Sequence, residues 1–124
     1  MKAVVLLALI GSLGAAQAPD AETHKAWMND ATDLQEDIRD AMGAKSGAKI
    51  AEAATKIEEL MAKTEAYWSA KKAPDIVALA QTARAHAKDL AVAGTAEKLD
   101  QAADAFGKLN TTCNTCHDLH PEKR

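Results

Sequence analysis

The sequence predicts an all-α protein, an antiparallel up-down-up-down bundle of four helices. Three observations lead to this prediction. Apolar residues recur every three or four positions along four consecutive segments, runs of β-branched residues are nearly absent, and the links between the segments are short. Links of this length join helices that lie side by side in opposite directions, and they are too short to cross the bundle.

The first segment covers about residues 20–42, with Asp20 as a plausible N-cap and Gly43 as a natural C-terminal stop. Its apolar face comprises Trp27, Ala31, Leu34, Ile38 and Met42. The second segment covers about residues 46–69. Its apolar face comprises Ile50, Ala53, Ile57, Leu60, Met61, Thr64 and Trp68.

The third segment covers residues 74–93, with Pro74 in the first turn and Gly94 as the predicted stop. Its apolar face comprises Ile76, Leu79, Ala83, His86 and Leu90. Thr95 is predicted to cap the fourth segment. The apolar face of that last segment comprises Leu99, Ala102, Phe106, Leu109, Cys113 and Cys116.

A pentapeptide near the C-terminus is the part of the sequence that best indicates a chemical function. Residues 113–117 are Cys-Asn-Thr-Cys-His, the attachment signature of a c-type haem. Cys113 and Cys116 would add to the two vinyl groups of the porphyrin, and His117 would bind the iron as the proximal ligand. Because the chain has two cysteines, one covalent haem c is predicted. A buried haem would also supply apolar bulk to a core with few aromatic residues.

Three other interpretations of the same residues stay open. A dithiol redox motif normally lies in a βαβ unit, and no strand is predicted beside this one. A zinc site would need His120 as a cramped fourth ligand beside Cys113, Cys116 and His117. The third alternative is a structural disulfide between the two cysteines.

Residues 1–18 have the features of a secretory signal: a positive charge at Lys2, a short apolar run, and small residues at Ala16 and Ala18. Cleavage is predicted after Ala18 or Ala16, which leaves one domain over about residues 19–124. A retained N-terminal anchor is the alternative, although the apolar run is short for a bilayer. Covalent haem attachment takes place outside the cytoplasmic membrane in bacteria, so both features predict a periplasmic or secreted protein.

The charge balance narrows the choice of partners. The chain has 15 basic and 18 acidic residues, a net charge of −3. Removing residues 1–18 takes away Lys2 and no acid, so the balance becomes 14 basic and 18 acidic residues, a net charge of −4. This charge disfavours nucleic acid and, once the signal is cleaved, anionic membrane surfaces. It favours redox partner proteins with a basic face.

A four-helix chain with a single Cys-x-x-Cys-His near its C-terminus resembles the class II c-type cytochromes, which are cytochrome c′ and its low-spin, methionine-ligated relatives. The position of residues 113–117 is the discriminating feature, since class I cytochromes carry the motif near the N-terminus. The resemblance implies a bundle that encloses one covalent haem, attached to the fourth helix near the end of the bundle. Cytochromes c′ often dimerise through their first two helices, so a homodimer stays open.

Members of this family differ in the group that occupies the sixth coordination position of the haem iron. In the low-spin relatives a methionine of the first helix binds there, and Met28 lies where the resemblance would place it. The alternative for Met28 is ordinary core packing. His24, one helical turn earlier, is expected either to contact a haem propionate or to be exposed to solvent.

The leading prediction is therefore a periplasmic carrier of single electrons, with His117 proximal and Met28 distal. The alternative is a five-coordinate cytochrome c′ that binds nitric oxide or carbon monoxide. A haem peroxidase would need distal acid–base groups beside an open iron. His24 is the one candidate in the sequence, and no second acid–base group is evident for it. An electron carrier is thus predicted rather than an enzyme.

Overall fold

The computed structural model describes residues 18–120, and these residues form four α-helices without any strand. The helices are α1 (Ala21–Gly43), α2 (Gly47–Ala70), α3 (Pro74–Thr95) and α4 (Leu99–Leu119). The predicted all-helical class is confirmed for this part of the chain. None of these helices combines the length and the apolar character that a membrane crossing requires. The predicted export signal, residues 1–18, lies outside the described residues except for Ala18.

Helices that follow one another in the chain pack against one another: α1 on α2, α2 on α3 and α3 on α4. The backbones of the other pairs, including α1 and α4, come close at only a few points, although side chains bridge the gap, as Arg39 of α1 does over the ring of Phe106 in α4. All four helices still contribute apolar residues to one core, which we call the main core. The largest fully buried side chains are Ile38, Ile50, Ile57, Leu90 and Leu109. Burying one such side chain stabilises the fold by about 1.5–3 kcal/mol relative to leaving it exposed.

A second, smaller apolar cluster forms where α2 gives way to α3. Its buried members are Tyr67, Trp68 and Ile76, and the partly buried Trp27 and Cys116 pack against them. Trp27 comes from α1 and Cys116 from α4, so all four helices also meet in this cluster, which we call the aromatic cluster.

The three links between helices repeat one C-cap, the Schellman motif. In the first link the N–H of Ser46 donates to the carbonyl of Ala41, and the N–H of Lys45 donates to the carbonyl of Met42. The same pair of bonds recurs from Ala73 and Lys72, and from Lys98 and Glu97. The left-handed position of the motif is held by Lys45, Lys72 and Glu97, with φ between 54° and 56°. Each link is therefore three residues long.

The prediction that Thr95 caps the fourth helix is wrong. Helix α3 continues through Gly94 to Thr95, and α4 begins at Leu99 after Lys98, whose side chain makes no capping hydrogen bond. Gly94 does not stop its helix, because the left-handed position of this helix end is Glu97. Gly94 instead lies against the backbone of Gly47. A Cβ on Gly94 would lie 2.8 Å from the carbonyl oxygen of Gly47, and a Cβ on Gly47 would collide with the carbonyl of Gly94.

The first helix ends at Gly43, close to its predicted end, but Gly43 is the last helical residue rather than the residue beyond the cap. The left-handed position two residues later is Lys45. Glycine therefore marks two helix ends in this chain without supplying the left-handed conformation at either of them.

Candidate functional site

An apolar cavity of about 60 Å³ brings together residues from all four helices. It is lined by Met28 from α1 and by Cys113, Cys116 and His117 from α4. The structure therefore gathers around one cavity the four residues that the sequence singled out. The apolar walls between them come from Ala31, Met61, Ile76, Leu79, Ala80 and Ala83.

The spacing of the apolar residues along α4 explains how the cysteines reach this cavity. Leu109 is fully buried, and Cys113 and Cys116 follow on the same face as half-buried residues. Cys113 packs against the main core, whereas Cys116 packs against the aromatic cluster. The two cysteines thus lie where the two apolar clusters meet.

Met28 reaches the same cavity from α1. It is half-buried, and its side chain both packs against the main core and lines the cavity. Met61 of α2, predicted as a core residue, is buried as expected but also lines the cavity. The cavity therefore has two thioether groups, of which the sequence identified one.

Both cysteines carry free thiols in this structure, so they are not joined in a disulfide. Burial raises the pKa of the Cys113 thiol to about 11, with a further contribution from Cys116 and an opposing hydrogen bond with the Gln35 side chain. Burial also raises the pKa of Cys116, and the nearby carboxylate of Asp75 raises it further. The thiols are consequently protonated at neutral pH.

The polar side chains around the cavity are mostly engaged with their own helices. The hydroxyls of Thr32, Thr64 and Thr112 each donate to the backbone carbonyl four residues earlier. Gln35 is the exception, since its side chain lies close enough to the Cys113 thiol to lower the pKa of that thiol. The lining is therefore apolar apart from the sulfur groups, the imidazole of His117 and this one amide.

This set of groups fits a covalent haem. Two thiols and the adjacent imidazole lie on one helix, and a thioether lies on another, around an apolar space. A space of about 60 Å³ holds a few water molecules, whereas sites for cofactor-sized molecules measure about 300–1,000 Å³. A porphyrin would therefore require α1 and α4 to separate, and the backbones of these two helices approach each other closely at only a few points.

The zinc alternative can be compared with the geometry of residues 18–120. In that part of the chain, no three His, Cys, Asp or Glu side chains come together as a metal-binding group. His120, the fourth ligand of that hypothesis, pairs with Asp75, with 2.6 Å between Nε2 and Oδ2. This hydrogen bond lowers the pKa of Asp75 and ties the end of α4 to the first turn of α3.

His24 is not exposed to solvent, which corrects one of the two expectations for it. Only 5% of the residue is accessible, and its Nε2 accepts a hydrogen bond from Nε1–H of Trp68 at 3.0 Å. The imidazole also stacks on Tyr67, with 4.8 Å between ring centroids and 18° between planes. His24 thus belongs with the aromatic cluster rather than with the surface.

His86, on the apolar face predicted for the third segment, is half-buried and borders a surface groove between α3 and α4, away from the cavity. Its place in the structure agrees with an edge histidine of the bundle.

No protein-family model, curated protein or solved structure matches the chain.

Proposed function

We propose that this chain is a class II-type c cytochrome that carries single electrons through one covalent haem. Cys113 and Cys116 form the two thioether links, His117 is the proximal ligand, and Met28 is the distal ligand. The observation that carries the proposal is the single apolar cavity lined by all four of these residues.

Each residue has a distinct task in this proposal. When bound, the haem supplies a one-electron iron couple. The cysteines would fix the porphyrin to α4, and His117 would supply a nitrogen ligand to the iron. The soft sulfur of Met28 would favour the reduced iron and so raise the reduction potential. The apolar walls, such as Ile76 and Leu79, exclude water from the metal.

An antiparallel up-down-up-down order of the helices is part of the proposal. Each link is three residues long, and successive helices pack together. Met28, near the start of α1, and Cys116, near the end of α4, line one cavity. At the other end of the bundle the start of α2 meets the end of α3, where Gly47 contacts Gly94.

The export signal over residues 1–18 and the haem motif together support a periplasmic or secreted location. There the protein would exchange electrons with redox partner proteins. Its net charge of −3 gives no support to a role on nucleic acid or on an anionic membrane.

The test is to express the chain in a host that attaches c-type haem and to record mass and absorption spectra. We expect one haem per chain and a low-spin ferric form with a weak near-infrared band from sulfur–iron ligation. Met28→Leu should remove that band and give a high-spin form. Met61→Leu is the matched control, because it removes the other thioether of the cavity at nearly constant volume. Colourless protein with free thiols would contradict the proposal.

The second candidate function is a five-coordinate cytochrome c′ that binds nitric oxide or carbon monoxide. One observation favours it: Met28 is half-buried and packs against the main core, as it would if its sulfur did not bind the iron and the distal position stayed open. A high-spin ferrous protein that takes up carbon monoxide at once, with Met28 unchanged, would support this function over the first.

A further inference from the structure

A surface groove of about 540 Å³ lies between the N-terminal half of α1 and the C-terminal end of α2. The half-buried Trp27 and the buried Tyr67 line it, with Ala66 and Ala70 beside them. Pro19 and Ala18, the last residue of the predicted signal, also line the groove. We call it the lysine groove, because the only charged side chains among the described residues that line it are Lys63 and Lys71.

The aromatic side chains of the lysine groove continue inward to the haem motif. Tyr67 belongs to the aromatic cluster, against which Trp27 and Cys116 also pack. The ring centroids of Trp27 and Tyr67 are 6.2 Å apart, and those of Tyr67 and Trp68 are 4.9 Å apart. A continuous set of packed side chains thus joins the groove to one of the proposed attachment points.

The charge of the lysine groove is opposite in sign to that of the neighbouring surface. Lys71 Nζ lies 5.0 Å from the centroid of the Tyr67 ring, over the apolar surface of the groove. Next to it, a second groove has more acidic than basic side chains, and Lys63 lines both grooves. The acidic groups of the second groove are Asp30, Asp33, Asp37 and Glu59, and its other lysine is Lys56. The sign of the surface charge therefore changes at Lys63.

These observations favour an acidic partner at this position. The net charge of the chain is −3, which by itself favours a partner with a basic face. However, exposed charges are largely screened beyond about 8–10 Å at physiological ionic strength. At contact distance a partner meets the two lysines and the aromatic surface, and carboxylates around an apolar centre complement that combination.

We propose that the lysine groove is the docking site of an acidic one-electron carrier protein, which exchanges its electron with the haem through the aromatic cluster. This inference rests on the proposed function. When the partner is the donor, its redox centre loses one electron and the ferric iron gains that electron. No bond is made or broken.

The first test uses small redox probes with the haem-loaded protein at low ionic strength. The anionic probe is hexacyanoferrate(III), which oxidises the ferrous protein. The double variant Lys63→Glu and Lys71→Glu should slow this oxidation by about tenfold, because it turns local attraction into repulsion. The matched control is Lys49→Glu with Lys56→Glu, which changes the net charge equally at lysines beside the acidic residues of another groove. The control should change the rate by no more than about twofold.

The second test measures binding without electron transfer. Hexacyanocobaltate(III), a redox-inert anion, is added to the isotope-labelled protein, and NMR shifts are followed. We expect the largest shifts at the indole of Trp27 and along residues 63–71, with loss of these shifts in the Lys63/Lys71 variant and retention in the Lys49/Lys56 control.

The outcomes separate the inference from the function on which it rests. Equal slowing in both double variants, or unchanged rates in the Lys63/Lys71 variant, would overturn the docking site while leaving the cytochrome intact. Sedimentation with phosphatidylglycerol vesicles that depends on Lys63 and Lys71 would overturn it in favour of a membrane surface. A chain that carries no haem would overturn both proposals, and the absorption spectrum reveals this before any rate is measured.

Discussion

The indole N–H of Trp68 donates a hydrogen bond to Nε2 of His24 across 3.0 Å, and both residues are buried. This bond joins α1 to α2 beside the aromatic cluster. Because Nε2 accepts, this nitrogen carries no proton in the bonded state. The bond therefore fixes how α1 sits against the end of α2, within one helical turn of Met28.

Replacing Trp68 with Phe should destabilise the protein by about 1–3 kcal/mol, since the buried nitrogen of His24 loses its donor. Urea unfolding followed by circular dichroism measures the change. Trp27→Phe is the control, because the half-buried Trp27 contacts the same rings, and it should lose less than about 1 kcal/mol. Equal losses of stability in the two variants would show that the buried area of the indole ring, and not its hydrogen bond, stabilises the fold at this position.

Gly94→Ala should destabilise the fold by about 1–3 kcal/mol, because the new methyl group would lie 2.8 Å from the backbone oxygen of Gly47. Gly107→Ala is the matched control in an exposed part of α4, where a Cβ meets nothing within 4 Å. That control should stabilise the protein by up to about 1 kcal/mol through helix propensity. Thermal unfolding distinguishes the two, and a tolerated alanine at position 94 would mean that α2 and α3 can separate at this end without loss.

Lys45→Gly should stabilise the protein by about 1 kcal/mol, because Lys45 holds a left-handed conformation with φ of 54° that glycine adopts without strain. The neighbouring Ala44 is right-handed, with φ of −81°, so Ala44→Gly should instead destabilise by about 0.5–1 kcal/mol. Denaturant midpoints of the two variants should move in opposite directions. A shift in the same direction would contradict the Schellman geometry of this link.

The pair formed by Asp75 and His120 predicts an acid-dependent contribution to stability. The hydrogen bond from His120 lowers the pKa of Asp75 below its usual value of 3.8. A carboxyl group whose pKa is lowered by folding stabilises the folded state above its unfolded pKa, and this contribution is lost as pH falls through the folded pKa.

Asp75→Asn should therefore lower the urea midpoint at about pH 5 and lose that effect progressively below pH 3.8, where the wild-type carboxyl of the unfolded chain is protonated. Urea titrations of both proteins across this range measure the difference. If the difference between the two urea midpoints stayed constant down to strong acid, the contact between Asp75 and His120 would not be the source of the stability that Asp75 provides.

Burial of the Cys113 thiol predicts slow alkylation of the folded chain before haem attachment. In a Cys116→Ser background, the rate with iodoacetamide should rise with pH toward an inflection above 9.0, the ordinary thiol value, because burial, the main cause of the raised pKa of Cys113, is retained while the contribution of Cys116 is lost. At neutral pH, below both pKa values, the folded thiol should react more slowly than the thiol unfolded in urea, by up to the roughly 100-fold ratio of thiolate fractions that two pKa units give. Equal rates in the folded and unfolded chains would show that Cys113 is accessible.

The sequence predicts the helices because each buries an apolar face at regular spacing, as Ile38 and Ile57 do. It misplaces the start of α4, because the role of Gly94 depends on Gly47, which lies in a different helix. It also misses the burial of His24, whose partner Trp68 is distant in the chain. The paired aromatic residues Tyr67 and Trp68 were the one local indication of that cluster.

Within the site, Cys113, Cys116 and His117 are predictable because their spacing is a chemical signature in itself. Met28 required the resemblance to a family, since one methionine on a helix has no distinguishing pattern. Met61 could not be separated from ordinary core residues, because its access to the cavity depends on how α2 packs against its neighbours.

The wide approach of α1 to α4 has a consequence for how a flat cofactor could enter. Helix α1 packs mainly on α2, and α4 packs mainly on α3, so the first and last helices are the pair of neighbours that can part with the least loss of packing. Met28 and the cysteines lie on opposite sides of that seam, so an opening there would admit the ring between its proposed distal ligand and its proposed points of attachment.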